Sequence, residues 1–387
     1  MDPQPPEQGN PAQGNPAQGN PAQGNPEQGN PEPVMATPAE RGPSVTPRPR
    51  RRTRPLLLLM LILLMGALGV SLLLNMVMFG ASGLTAFESD RKVQEKLVSH
   101  QKYAANKIAI ISIKGVIMDA EGFVKRQIDR AKADQAVKAV VLRVDSPGGS
   151  VSASDAIYHQ LRELVEGTHD PENPREVPLV VSMGGMAASG GYYVSMACGD
   201  EPDVIFAEPT TSTGSIGVIM PHYNFAGLME EWGIEEDAIT SHRLKNMGSF
   251  SKPMTAEERK IFQELVDEFF TQFKDAVKHG RPKFENDPEM LDELATGQVF
   301  TGRQAEKNGL IDKIGFLDDA VERAIELAGI EKDDVKVIQY KREPNLADML
   351  MGAQARRPSL DLATMLEMTS PRAYYLCTWM PSLSSSP

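Results

Sequence analysis

Residues 177–198 read VPLVVSMGGMAASGGYYVSMAC. The first seven are apolar apart from Ser182 and rich in valine, as in a strand buried on both faces, and the closing GYYVSMAC suits a buried helix. Between them lie two glycine pairs and one exceptional hydroxyl, Ser189. Either the glycines only let a strand turn into a helix, or the turn presents Ser189 as a nucleophile. A serine at a helix start is ordinarily a cap. Chemistry at Ser189 therefore requires a base and a pocket that stabilises negative charge.

Two further runs resemble the first, KIAIISIKGVI at 107–117 and AVVLRVD at 139–145. Between the second and third runs, Ile157, Leu161, Leu164 and Val165 recur at helical spacing behind serine and aspartate residues suited to capping. Strand, helix, strand in this order indicates an α/β fold with a mostly parallel sheet. A later helix, Thr255 to about His279, gathers Phe262, Leu265, Phe269, Phe273 and Val277 on one face, as core or subunit contact. The charged stretch from Ser89 to about Tyr103 reads as a helical connector. Beyond about Lys341 periodicity fades, and the closing WMPSLSSSP at 379–387 reads as a loose tail or interaction arm.

The chain opens differently. Glu7 to Pro31 holds five tandem pentapeptides of the type (E/A)QGNP, which have too little apolar surface to offset backbone entropy and read as a disordered tail. Six arginines follow between Arg41 and Arg54, and then an apolar run from Leu56 to Phe79 without a charge. Its 24 residues would reach about 36 Å as a helix, against a bilayer core of about 30 Å. A cleavable signal peptide is the nearest alternative, because GASGLTA supplies small residues, but its apolar region ordinarily spans about 7–15 residues. An uncleaved anchor is the reading, with the arginine side cytoplasmic.

The formal net charge of −12 leaves no basic stripe once the arginine cluster is assigned to the membrane, which argues against a nucleic-acid partner. Cys198 and Cys377 are too few for a disulfide framework, and Cys198 lies in a core-like context. No Cys/His cluster has metal-ligand spacing, and no cofactor is called for.

Glycine-containing stretches follow strand-like or extended runs at DSPGGSV (145–151), GGMAASGGYY (184–193) and STGSIGV (212–218). In a parallel sheet such loops gather at one edge, where glycines let backbone N–H groups approach a substrate. For a base, spacing cannot choose among six histidines and many lysines. His242 and Lys245, in SHRLKNMGSF, lie in a polar stretch between two helical segments.

Together, LRVDSPGGSV, VVSMGGMAASGGYYVSMA, STGSIGV, MTAEER, VKHGR and GQVFTGRQAEKNGLIDKIG occur in fixed order behind one amino-terminal anchor. This pattern closely resembles the signal peptide peptidase A family of bacteria, in its short form, over about Lys107 to Ala328. The resemblance implies a ClpP/crotonase-like parallel sheet with flanking helices, preceded by one transmembrane helix. It also implies a serine nucleophile with a lysine base, acting on signal-peptide remnants and other apolar peptides beside membrane lipid. Position by position, the nucleophile falls on Ser189, the base on Lys245 and a lysine-orienting serine on Ser215. The oxyanion hole falls on Gly148, Gly149 and Gly190. Where the family usually has SG before the lysine and GSP after it, this chain has Ser241-His242 and Gly248-Ser249-Phe250, so His242 stays open as a rival base.

A lysine accepts a proton only when neutral, whereas an exposed one stays charged to about pH 10.4. The reading therefore expects a largely desolvated Lys245 close to Ser189 and Ser215. The family also implies a ring-like homo-oligomer in which serine and lysine can come from neighbouring subunits. The expected layout is a cytoplasmic tail at 1–54, an anchor at 55–80, a linker helix at 81–106, a catalytic domain at 107–340 and a tail at 341–387. It would place the catalytic domain on the extracytoplasmic side of the bacterial inner membrane. An inactive peptide-binding scaffold of the same fold is the alternative.

Overall fold

The computed structural model describes residues 58–72, 93–342 and 373–377. The chain divides into two units, Met1–Asn75 and Met76–Pro387. Strands of the second unit are, in chain order, β1 (Val93–His100), β2 (Asn106–Lys114), β3 (Val137–Ser146), β4 (Gly148–Ser150), β5 (Leu179–Ala188) and β6 (Ile205–Ala207). They continue as β7 (Ser212–Gly214), β8 (Val299–Thr301), β9 (Lys313–Ile314), β10 (Val335–Arg342) and β11 (Tyr374–Leu376).

The three apolar runs become adjacent strands. β2 pairs with β3 and β3 with β5, all parallel. Ile108 to Ile111 and Val140 to Leu142 are at most 1% exposed, so both faces of these strands are covered, which explains why their sequences show no polar alternation. The sheet runs β1-β10-β2-β3-β5-β6-β9, with β7 on β5 and β8 on β7. Most of its pairings are parallel, and the fold is mixed α/β with a mainly parallel central sheet.

The helix Val151–Glu166 begins where Ser150 Oγ accepts the Ala153 amide at 3.1 Å and ends at Gly167 in the left-handed region, φ 70°. Of the positions its spacing marks, it buries Ile157, Leu161 and Leu164 and half-buries Val165. Each fully buried side chain contributes about 1.5–3 kcal/mol. The helix Ala256–Gly280 starts in a capping box between Thr255 and Glu258. Its aromatic stripe divides: Phe273 and Val277 are buried, while Phe262 and Leu265 are half-buried.

Two expectations are corrected. The stretch assigned to a helical connector contains β1, an edge strand antiparallel to β10. Its alternation of half-buried and exposed residues is a strand period, and Lys107 Nζ ties it inward, 2.7 Å from Glu95 and 2.7 Å from Asp134. Charged residues along such an edge discourage pairing with another chain. The second correction is at the carboxyl end: the tail assigned to 341–387 contains a strand, Tyr374–Leu376, paired with β4, while the closing WMPSLSSSP lies outside the described residues.

In the first unit, residues 58–72 are helical and their side chains exposed. Among the described residues, no helix is long and apolar enough to cross a membrane. The expected anchor extends past both ends of this helix, and those ends lie outside the described residues. So do the pentapeptide tail, the arginine cluster and most of the stretch after Arg342.

Candidate active site

The glycines of the opening stretch do two different things. Pairing between β3 and β5 passes from Val144↔Met183 directly to Ser146↔Ala187, so Gly184 and Gly185 lie in a bulge of β5. The bulge is held from three sides. Asp145 accepts the Met186 amide at 3.1 Å, Thr211 Oγ1 donates to the Gly184 carbonyl at 2.6 Å, and Thr213 Oγ1 donates to the Ala187 carbonyl at 2.7 Å. Arg143 braces the neighbouring turn of chain, bonding Ser182 Oγ at 2.9 Å and Glu208 at 2.5 Å.

Gly190 and Gly191 have a steric role. A Cβ on Gly190 would lie 2.5 Å from Ser154 Oγ and 3.1 Å from the Gly149 nitrogen, and one on Gly191 would lie 2.8 Å from the Ser146 carbonyl oxygen. Only glycine lets the helix Gly190–Ser195 start this close to the β3–β4 loop.

At the junction sits Ser189, with φ 54° and ψ −117°. A non-glycine residue in this region is uncommon and costs about 1–3 kcal/mol, to be supplied by the surroundings. Backbone bonds hold it there: its N–H donates to the Gly214 carbonyl at 2.8 Å and its carbonyl accepts the Tyr193 amide at 2.8 Å. Its side chain makes no capping hydrogen bond. The capping role expected of a serine at a helix start is therefore absent, and the hydroxyl stands on a strained strand-to-helix turn of the type that presents nucleophiles.

Ser215 repeats the device. It follows β7 with φ 52°, and its N–H donates to the Gln298 carbonyl at 2.7 Å. Ala188 and Gly214 are register partners in parallel strands, so Ser189 and Ser215 leave the sheet side by side. The glycines expected near them are also here. Gly148 has φ 98°, and a Cβ on it would meet the Gly190 nitrogen at 2.6 Å and Ser189 Cβ at 3.1 Å. The Gly148 amide already donates to Ser146 Oγ at 3.0 Å. Ser154 Oγ, in the same corner, is buried without a hydrogen-bond partner. A cleft of about 380 Å³ opens beside Ser215, walled by Ile216, Ile219, Val266, Phe270 and Leu376.

Lys245 is not brought to this place within one chain. It lies on the short 3-10 turn Arg243–Asn246, exposed, and among the described residues no side-chain hydrogen bond joins it to Ser189 or Ser215. The expected desolvation is therefore absent from the single chain. The reason is that its segment has no apolar wall of its own: Tyr223 is 64% exposed, Trp232 69% and Ile239 99%. His242, the rival base, is exposed too, and its ring caps the same turn by accepting the Leu244 amide at 3.2 Å.

Cys198 is buried, and burial pushes its thiol up to about 12, which makes it a core residue. Among the described residues, no group of His, Cys, Asp and Glu could hold a metal ion. Sequence reasoning missed the bracing residues Arg143, Asp145, Glu208, Thr211 and Thr213. Their signal was present in β3, where an arginine and an aspartate interrupt an apolar strand.

Comparison with known proteins fits this arrangement. Residues 172–331 match Peptidase family S49. Protease 4 of Salmonella typhi is 36% identical over 252 residues, 63% of this chain and 38% of that protein. A putative protease of Synechocystis is 35% identical over 65% of this chain and 84% of its own length. A putative signal peptide peptidase SppA of Enterococcus faecium is 31% identical over 70% of this chain and 74% of its own. The chain thus spans little more than a third of the Protease 4 relative but most of the shorter ones. On the extent of these matches, the chain belongs to peptidase family S49, within the group of signal peptide peptidase A.

Proposed function

We propose that the protein is a membrane-anchored serine endopeptidase with a ClpP/crotonase-like fold, in which Ser189 is the nucleophile and Lys245 the general base. One observation carries the reading: Ser189 is held at φ 54° with a hydroxyl that caps nothing, beside glycine backbone. A serine serving only the helix would cap it. Ser189 Oγ adds to a peptide carbonyl, and the Gly149 and Gly190 amides stabilise the oxyanion. Gly148 shapes this pocket, its own amide being engaged by Ser146. Lys245 takes the hydroxyl proton and returns it to the leaving amine, with Ser215 orienting it, and water then releases the acyl group.

A lysine base must be neutral, and taking its ordinary pKa of about 10.4 down to near neutrality costs about 4 kcal/mol of lost ammonium solvation. A single chain exposes Lys245, so the desolvating walls come from a neighbouring copy. This is the physical argument for a ring-like homo-oligomer with shared sites, and the exposed apolar residues from Tyr223 to Ile239 are its contact surface. The substrates are apolar peptides, signal-peptide remnants among them. The uncharged run from Leu56 to Phe79 holds the enzyme in the bacterial inner membrane, tail in the cytoplasm and catalytic unit outside.

The test is hydrolysis of a fluorogenic apolar peptide by the full chain in detergent, beside Ser189→Ala, Lys245→Ala and His242→Ala. Turnover should vanish in the first two and persist in the third. A parent chain without turnover returns the fold to a peptide-binding scaffold, activity that survives Ser189→Ala removes Ser189 as the nucleophile, and loss in Ser189→Ala and His242→Ala with Lys245→Ala still active makes that histidine the base.

A further inference from the structure

The strand that carries Ser189 has a joint in it. Up to Met183, β5 pairs with β6, and from Met186 onward it pairs with β7 instead. On its other side, pairing with β3 skips the same two glycines. Gly184 and Gly185 therefore have no register partner on either side, and only Met186, Ala187 and Ala188 separate them from Ser189. A disrupted ladder is where register is least fixed, and a slip of one residue would turn Ser189 to the opposite face. The skip of two residues preserves the alternation.

Side chains replace the missing pairing. Ala187 and Thr213 are register partners, and Thr213 Oγ1 donates to the Ala187 carbonyl at 2.7 Å. Ala187 stands two positions before Ser189 and Thr213 two before Ser215, so this bond joins the strands just ahead of both serines. From the β3 side, Asp145 accepts the Met186 amide at 3.1 Å. Gly184 leaves room for that carboxylate: a Cβ there would lie 3.3 Å from Asp145 Cγ and 3.1 Å from Arg143 Nη2. Thr213 is fully buried. Valine suits a buried strand as well as threonine does and has no hydroxyl to satisfy. What threonine adds at this position is the bond across the joint.

We propose that Thr213 and Asp145 are positioning residues for the reaction at Ser189, holding β5 across its joint and so fixing where the nucleophile stands relative to Ser215 and the glycine amides. Both act through the backbone of β5. Misplacing a reacting group by about 1 Å can cost about 10²-fold in rate, so their loss should appear in the chemical step and not in substrate binding. The inference rests on the peptidase reading of Ser189.

The test uses the full chain in detergent, as parent, Thr213→Val and Thr213→Ser. Two rates are measured: turnover of a fluorogenic apolar peptide, with kcat and KM separated, and inactivation by a serine-reactive fluorophosphonate. Both are expressed per site labelled at completion, which removes any unfolded fraction. Thr213→Val should lower kcat and the inactivation rate at least tenfold while KM stays within threefold. Thr213→Ser, which keeps the hydroxyl, should stay within threefold of the parent throughout. Parental rates per labelled site in Thr213→Val, even with a lower melting temperature, overturn the proposal and leave Thr213 a role in stability alone. So does Thr213→Ser as slow as Thr213→Val. If Thr213→Val does not fold, Asp145→Ala and Asp145→Asn give the same comparison. The alanine variant should be slowed at least tenfold and the asparagine variant, still an acceptor, should recover most of the rate; equal rates in the two overturn the proposal. A parent inert to both peptide and fluorophosphonate overturns the peptidase reading itself, and this inference with it.

Discussion

The two halves of the proposed catalytic pair are built in opposite ways. Around Ser189, two serines are held at positive φ, and four glycines, Gly148, Gly149, Gly190 and Gly191, leave no room for a Cβ. The stretch of chain leading to Lys245 exposes Tyr223, Trp232 and Ile239, and Gly227 in it has nothing within 4 Å of its Cβ position. The proposed nucleophile's platform is complete in one chain, whereas the proposed base is exposed there. The shared site proposed above would account for both: the strained turn is made rigid locally, and the lysine would be desolvated on assembly.

Complementation tests this division most severely. Ser189→Ala and Lys245→Ala should each lower turnover at least about 10³-fold, because members of such a pair act as a unit. Mixed and reassembled, the two inactive proteins should recover roughly a quarter of parental turnover, the chance that a random neighbouring pair is complementary. No recovery, with assembly shown by light scattering, would place both groups in one chain.

Trp232→Asp probes the exposed half directly. Removing an exposed side chain should change monomer stability by less than about 0.5 kcal/mol. At a subunit contact, the same change should shift the protein to smaller species in size-exclusion chromatography and lower activity in parallel. An unchanged elution profile and full activity would take Trp232 out of any interface.

Paired glycine substitutions measure the contrast in stability. A Cβ on Gly149 would lie 1.8 Å from the Ile117 carbonyl oxygen, and backbone there cannot yield without breaking the β4 pairing. Gly149→Ala should therefore cost about 1–3 kcal/mol or more. In the helix Ala226–Glu231, Gly227→Ala meets open space and should stabilise by about 0.5–1 kcal/mol. Chemical denaturation of the two variants gives both values, and equal effects would erase the distinction.

How much of this was legible beforehand follows the same division. β2, β3 and β5 could be read because strands buried on both faces carry long apolar runs, and Ser189 because its turn needs small residues on each side. β1 could not, since a charged edge strand and a charged helix look alike until β10, far along the chain, supplies its partner. Nor could Tyr374–Leu376 be placed, because what holds it is backbone pairing to β4 and Ile219. The Asp145 and Thr213 contacts were invisible for a related reason. They serve a bulge that appears only when β3 and β5 are laid side by side.

The smallest effect concerns the joint between the two halves. Lys252 Nζ lies 2.5 Å from Glu258, which is buried at the first turn of Ala256–Gly280 and closes its capping box. The Lys252 hydrogen bond, opposed by burial and aided by the Thr255 amide, holds the Glu258 carboxyl below its usual 4.5. A carboxyl whose folded value is depressed stabilises above its unfolded value, and this contribution is lost as pH falls through the folded one. Stability near pH 6 should thus exceed stability near pH 3 partly through Glu258. Glutamine still serves a capping box, so Glu258→Gln should lose only the charged part, about 1 kcal/mol near pH 6 and little near pH 3. Thermal melts of both proteins across that range decide the matter. Parallel curves would mean that the Lys252–Glu258 pair contributes nothing to fixing the exposed segment.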